Sequence, residues 1–179
     1  MNKQHLRTRG FTLIELLATL TIIAVAMAIA VPSMTAFQRN AELTSAANNL
    51  QSSINAARSE AMKRGMNAMV TPVDASNWGN GWVVFVDSQR NGNGSDSANI
   101  RIASQPALPA YFTVTGFNVR FDASGFAMGG NGTFTIQRND IGGTEQWAQT
   151  RRVKISNTGR VRNCKPASST DSSCSASGA

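Results

Sequence analysis

Between residues 151 and 165 the chain reads RRVKISNTGRVRNCK, with Arg151, Arg152, Lys154, Arg160, Arg162 and Lys165 and no acid. Guanidinium forks match phosphate oxygens in geometry and charge, so an acid-free, Arg-rich surface suits a polyanion. Alternation along a strand puts Val153 and Ile155 on one face, Arg152 and Lys154 on the other. Asn157-Thr158-Gly159 reads as a three-residue hairpin loop with Gly159 in the left-handed position. In that register Ile155 pairs with Val161 inward and Lys154 with Arg162 outward, and Arg160 lies opposite Ser156 on the outer side. Like charges directly opposite destabilise a hairpin. The outer face is therefore either a solvated basic surface or a polyanion site.

Little else could do chemistry. The single histidine, His5, lies in the first ten residues, and the rest of the chain has none. That excludes a Ser-His-Asp triad, a Cys-His pair and a histidine-ligated metal. No catalytic residue, metal site or cofactor is expected. Asp87-Ser-Gln-Arg-Asn91-Gly92 resembles the start of a calcium loop, but Arg90 sits inside it and Ala98 stands where the last acidic ligand belongs. It reads as a solvated hairpin tip. Cys164 and Cys174 are too few for a metal site. In an oxidising compartment a disulfide between them is expected, worth about 2.5–3 kcal/mol at most by loop entropy. The alternative is two free thiols in a disordered tail. The bridge would present Lys165 on a small ring.

These side chains need elements to carry them. Residues 1–10, MNKQHLRTRG, hold Lys3, Arg7 and Arg9 and no acid. Residues 11–31 form an apolar run with one charge, Glu15. As a helix it spans about 31 Å, enough for a bilayer core. It is longer than the ~7–15 apolar residues of a secretory signal and no small-residue cleavage site follows, so a membrane helix with its N-terminus inside is expected. A carboxylate there is costly, and such residues are by default functional. After Pro32, Leu43, Ala47, Leu50, Ile54, Ala57 and Ala61 follow alternating spacings of four and three, one apolar stripe on a helix. Lys63 and Arg64 suit the last turn and Gly65 suits the position after it, so one helix is expected over about 11–64. From residue 66 the period becomes two. Strands are expected at 66–71, 81–87, 99–104, 111–121 with a break near Gly116, 133–138 and 151–163. Residues 166–179 are Ser-rich and read as a mobile tail.

Gly10-Phe11-Thr12-Leu13-Ile14-Glu15 resembles the type IV prepilin motif, in which a short basic leader ends in Gly and the apolar segment carries Glu at its fifth position. The resemblance covers residues 5–32. It implies cleavage between Gly10 and Phe11 by a prepilin peptidase and N-methylation of Phe11. It also implies pairing of Glu15 with a neighbouring subunit's N-terminal amine, and a helix that bends or loosens at Pro32. Without the leader the net charge falls from +7 to +4, as Lys3, Arg7 and Arg9 leave with it.

Gly81-Trp82-Val83-Val84-Phe85-Val86-Asp87 and the Asn/Gly loop after it are similar to the GspH/FimT pseudopilin domain, over about 35–163. Gly159-Arg160-Val161-Arg162 matches the GRxR motif of FimT minor pilins, which with neighbouring basic residues binds DNA in natural transformation. The resemblance implies an α+β, type IV pilin-like fold, a long N-terminal transmembrane helix packed on a C-terminal antiparallel β-sheet domain. The expected divisions are a leader at 1–10, a membrane or filament-core helix at 11–31, the amphipathic half of the helix at 32–65, a β-rich domain at 66–165 and the tail at 166–179. The implied function is a non-enzymatic minor pilin of the inner membrane and pilus, with its C-terminal domain in the periplasm. It would bind extracellular DNA through Arg151, Arg152, Lys154, Gly159, Arg160, Arg162 and Lys165. Its other partners would be the prepilin peptidase, the major pilin and other minor pilins. The alternatives are a structural, initiating minor pilin of the FimU kind, or the type II secretion pseudopilin GspH.

Overall fold

The computed structural model describes residues 10–74, 76–140, 146–168 and 170–176, without the side chains of residues 32 and 33. The chain divides into two compact units, one ending at Arg39 and one beginning at Asn40. A single helix, α1, spans Leu13–Arg64 and contributes to both.

In the first unit α1 starts at a capping box. Thr12 Oγ1 accepts from the Glu15 amide at 3.3 Å, and Glu15 Oε2 accepts from the Thr12 amide at 3.1 Å, so two otherwise unpaired donors at the helix start are satisfied reciprocally. Beyond it every large apolar side chain from Leu13 to Val31 is exposed. The apolar window has a mean hydropathy of 2.4, and α1 is long and apolar enough to cross a membrane. The expectation at Pro32 falls outside the described side chains.

The second unit is built on the apolar stripe. Leu43, Ala47, Leu50, Ile54, Ala57 and Ala61 are all buried, with Ala46 beside them. Burying each Leu or Ile is worth about 1.5–3 kcal/mol, and the alanines let the sheets approach the helix axis. Against them pack Val70, Val84, Val86, Phe121, Phe134, Ile136, Val153 and Ile155. Trp82 Nε1 donates to Ser53 Oγ at 2.9 Å, so the indole lies in the core with its polar atom satisfied by α1.

The strands are β1 (Ala68–Asp74), β2 (Asn77–Val86), β3 (Ile100–Gln105), β4 (Phe112–Thr115), β5 (Val119–Phe121), β6 (Ala127–Met128), β7 (Gly132–Arg138), β8 (Thr150–Ile155) and β9 (Val161–Cys164). A 3₁₀ turn, Gln146–Gln149, leads into β8. They form two antiparallel sheets where the sequence suggested one: five strands in the order β3-β2-β1-β5-β6, and four in the order β4-β7-β8-β9. The expected strand 111–121 breaks at Gly116, and its halves join different sheets. Gly116 backs onto the Phe134 ring, where a Cβ would overlap, and Phe117 stacks on the same ring at 5.0 Å. The crossover is thus fixed by one small residue and one aromatic pair. Strand β6, two residues long, was not expected, because so short a segment shows no period.

Candidate nucleic-acid interface

The basic segment is a β8–β9 hairpin in the expected register. Ile155 pairs with Val161 and Lys154 with Arg162. The loop is Asn157-Thr158-Gly159, closed by the Ser156 amide donating to the Arg160 carbonyl at 3.0 Å and the Gly159 amide donating to the Ser156 carbonyl at 2.9 Å. Gly159 has φ +79°, the left-handed region that L side chains avoid, and a Cβ there would strike the Gly125 carbonyl. The glycine of the GRxR string therefore has a structural requirement of its own.

Two further contacts hold the tip. The Asn157 amide donates to Asn131 Oδ1 at 2.7 Å. From α1, Arg58 donates through Nε to the Gly125 carbonyl at 3.0 Å and through Nη2 to the Thr158 carbonyl at 3.2 Å. Sequence reasoning missed Arg58. It lies a hundred positions before the loop, and nothing local in its helix marks it.

The six cations do not share one surface. Arg151 lies on the inward side, buried, donating to Asn40 Oδ1 at 2.9 Å and to the Thr150 carbonyl at 2.8 Å. Burial lowers its pKa. Its role here is to fasten β8 to α1, and it does not join the outer face. Arg152 and Lys154 do project outward, but Cys174 and Ser175 lie over them. Lys154 is only 2% exposed, with its ammonium donating to Ser175 Oγ at 3.3 Å. Arg152 donates through Nη1 to the Cys174 carbonyl, and its buried Nε finds no partner among the described residues. Arg160, Arg162 and Lys165 are exposed. Arg162 donates to the Ser173 carbonyl at 3.3 Å. Among the described residues none of these five cations is in an ion pair.

What covers the face is part of the Ser-rich segment, tied back by the expected disulfide. Cys164 and Cys174 form a disulfide with their Cα atoms 5.9 Å apart, which returns the tail to β9. Asp171 organises the returning turn. Its Oδ1 accepts from Ser173 Oγ at 2.6 Å and from the Ser173 amide at 2.9 Å, and its Oδ2 accepts from the Ala167 amide at 2.9 Å. These bonds, the Ser173 hydroxyl first, hold its carboxyl at about 2. Among the described residues the tail's acidic side chain thus serves its own turn, and Arg152, Lys154 and Arg162 meet carbonyl and hydroxyl oxygens.

At the other end of the sequence, a Cβ on Gly10 would meet nothing within 4 Å among the described residues. Folding does not demand glycine there. Loop 87–99 is organised by Asx turns around buried Asp87, which accepts from the Asn91 and Gly92 amides at 3.2 and 2.9 Å.

Residues 46–159 match the family model described as Type II transport protein GspH, and residues 6–31 match the Prokaryotic N-terminal methylation motif. The first match spans well over half of the sequence, and the chain belongs to the GspH family. Among solved structures it is similar to type IV minor pilin FimU of Pseudomonas aeruginosa (strain PAO1) in two crystal forms. In space group P21 the TM-score is 0.57 at 26% identity, over 70% of this chain and 90% of that chain. In space group P65 the TM-score is 0.56 at 25% identity, over 70% of this chain and 98% of that chain. No curated protein matches the sequence. Long helix, antiparallel sheets and methylation motif together define a type IV minor pilin or pseudopilin, a class of structural subunits rather than enzymes.

Proposed function

We propose that the chain is a type IV minor pilin of the FimT kind that binds extracellular DNA without sequence preference for uptake in natural transformation. The observation that carries this reading is the trio Arg160, Arg162 and Lys165, exposed along and just beyond β9, whose leading loop is tied down by Arg58 and Asn131, and without an ion pair among the described residues. Cationic contacts to phosphates position a protein on DNA and carry no base information. In the same reading a prepilin peptidase cuts after Gly10 and methylates Phe11. The apolar half of α1 holds the subunit in the inner membrane with its β domain in the periplasm. Assembly with major and minor pilins then moves it into the pilus.

The test is Arg160→Gln with Arg162→Gln in the full chain. With three phosphate contacts the log–log salt slope of duplex DNA binding is near −2.7, and the double variant removes about two-thirds of it. Transformation falls while piliation persists. A double variant that binds DNA like the parent overturns the reading. A second reading, a structural minor pilin of the FimU kind, is favoured by the similarity to FimU structures. It wins if the variant loses pili together with transformation.

A further inference from the structure

The outer face of the hairpin is physically unbalanced. Lys154 and Arg162 stand directly opposite each other, and Arg152 lies two residues from Lys154 on the same face. Like charges in that position repel. One of them is almost wholly removed from water, and a buried ammonium needs a counter-charge or several strong acceptors to offset its lost hydration. Among the described residues it receives a single hydroxyl at 3.3 Å. Arg152 receives one carbonyl, with Nε unsatisfied among the described residues. Arg162 receives another carbonyl. Three cations are thus met by neutral oxygens of one short segment, residues 173–175. The nearby acid, Asp171, accepts from its own turn instead.

Those oxygens stand where phosphate oxygens would bind better. A charged acceptor makes a hydrogen bond roughly twice as strong as a neutral one and also relieves the repulsion between cations. The tail keeps its place through its tether, since Cys164–Cys174 makes its return intramolecular and so raises its effective concentration. From these observations we infer that Arg152 and Lys154, beside the exposed Arg162, form a second, masked phosphodiester site, and that the disulfide-tied tail is its lid. This rests on the reading of the Arg160 tip as a polyanion surface and extends it. The closed protein presents Arg160, Arg162 and Lys165, and the open one adds Arg152 and Lys154.

The experiment uses the full chain in detergent micelles and a short mixed-sequence DNA duplex, titrated over a range of salt. The lid is opened in two ways. One is the Cys164→Ser/Cys174→Ser variant. The other is reduction of the folded parent by dithiothreitol, whose two thiols close to a ring disulfide as each cysteine sulfur gains one electron and one proton. Opening adds about two phosphate contacts, so the salt slope steepens by about 1.8 units. Introducing Arg152→Gln and Lys154→Gln into the opened form reverses the gain. Amine acylation read by peptide mass supplies a measurement independent of DNA. Lys154 is protected in the closed protein and reacts after reduction, while Lys165 reacts in both.

An unchanged slope on opening, or Lys154 reacting as fast as Lys165 in the closed protein, overturns the lid. In that case binding that still depends on Arg160 and Arg162 leaves the tip reading standing. Conversely, DNA binding that appears only on opening and ignores Arg160 supports the masked site and sinks the tip.

Discussion

Arg58 on the helix donates a hydrogen bond of 3.2 Å to the carbonyl of Thr158, in the turn immediately before Gly159 and Arg160. Its Nε reaches the Gly125 carbonyl of a second turn at 3.0 Å. One guanidinium therefore joins α1, the turn after β5 and the tip of the basic hairpin, and sets where Arg160 is held.

Arg58→Lys tests this positioning without changing the charge. Lysine has no planar fork and cannot reproduce two bonds at fixed angles. The two lost bonds are partly exposed, so the expected destabilisation is about 1 kcal/mol, read by urea denaturation. DNA affinity falls at constant net charge while the salt slope stays near the parent value. If the variant matches the parent in both affinity and stability, the tip is held by other contacts.

Gly159→Ala separates the glycine of the GRxR string from its arginines. Alanine must adopt φ near +79° and its Cβ meets the Gly125 carbonyl. Left-handed backbone alone costs about 1–2 kcal/mol, and the steric clash adds to it. A melting temperature lowered by several degrees is expected, together with weaker DNA binding. Arg160→Gln, by contrast, weakens binding at unchanged melting temperature, because its side chain is exposed.

Much of this architecture was legible in the residues. The stripe from Leu43 to Ala61 is the buried face of α1 because a helix brings spacings of three and four to one side. The hairpin register followed from Asn157-Thr158-Gly159, since loop length and a left-handed glycine together fix which residues face each other. What was not legible depended on long-range approach. Arg151 was grouped with its neighbours by sequence, yet strand alternation places it beside Val153 on the inner face, where Asn40 receives it. The Cys164–Cys174 bridge was legible, but the rest of the tail gave only its composition. Its burial of Lys154 comes from one disulfide and one aspartate turn, neither of which leaves a periodic signal. The split into two sheets turned on the contact of Gly116 and Phe117 with Phe134, three residues from two separate strand regions.

Arg138 anchors the opposite side of the domain. It is 5% exposed, within 2.5 Å of Glu42 on α1 and 2.8 Å of Asp140, with its guanidinium 4.1 Å above the Tyr111 ring. The Asp140 bond, and after it that of Glu42, raises its pKa. Arg138→Ala removes the guanidinium partner of both carboxylates and its packing on the Tyr111 ring, while Glu42 keeps the Tyr111 hydroxyl at 3.2 Å. The guanidinium is the buried partner and both carboxylates reach solvent, so no buried charge is left behind, and the lost bonds and packing are expected to cost about 1–3 kcal/mol in chemical denaturation. A change within the error of the measurement would show the network to be ornamental to stability.

Asp171 makes the tail's closure sensitive to acid. Its folded pKa, about 2, lies below the ordinary value of 3.8, so its contribution is complete above pH 3.8 and is lost as pH falls through about 2. The amide resonances of Ser173 and Cys174 should titrate with a midpoint near 2. Asp171→Asn should abolish that titration and raise the acylation rate of Lys154 at neutral pH. A midpoint near 3.8 would mean that the turn does not hold the carboxylate.

Glu15 has one role in the structure and a second in the proposed filament, and two substitutions distinguish them. In the structure its carboxylate closes a capping box with Thr12, which glutamine reproduces and alanine does not. In the proposed filament its charge pairs with a neighbour's new N-terminal amine, which neither substitution supports. Both variants shed a costly carboxylate, so membrane insertion is unchanged or improved in each. Sheared pili should contain neither variant at the parent level if charge pairing drives entry. If Glu15→Gln enters normally and Glu15→Ala does not, the requirement is for the helix start, and the amine has another partner. Normal entry of both would make Glu15 a bystander in assembly. Mass spectrometry of the pilus fraction, with cleavage after Gly10 and methylation of Phe11 read in the same experiment, decides among the three.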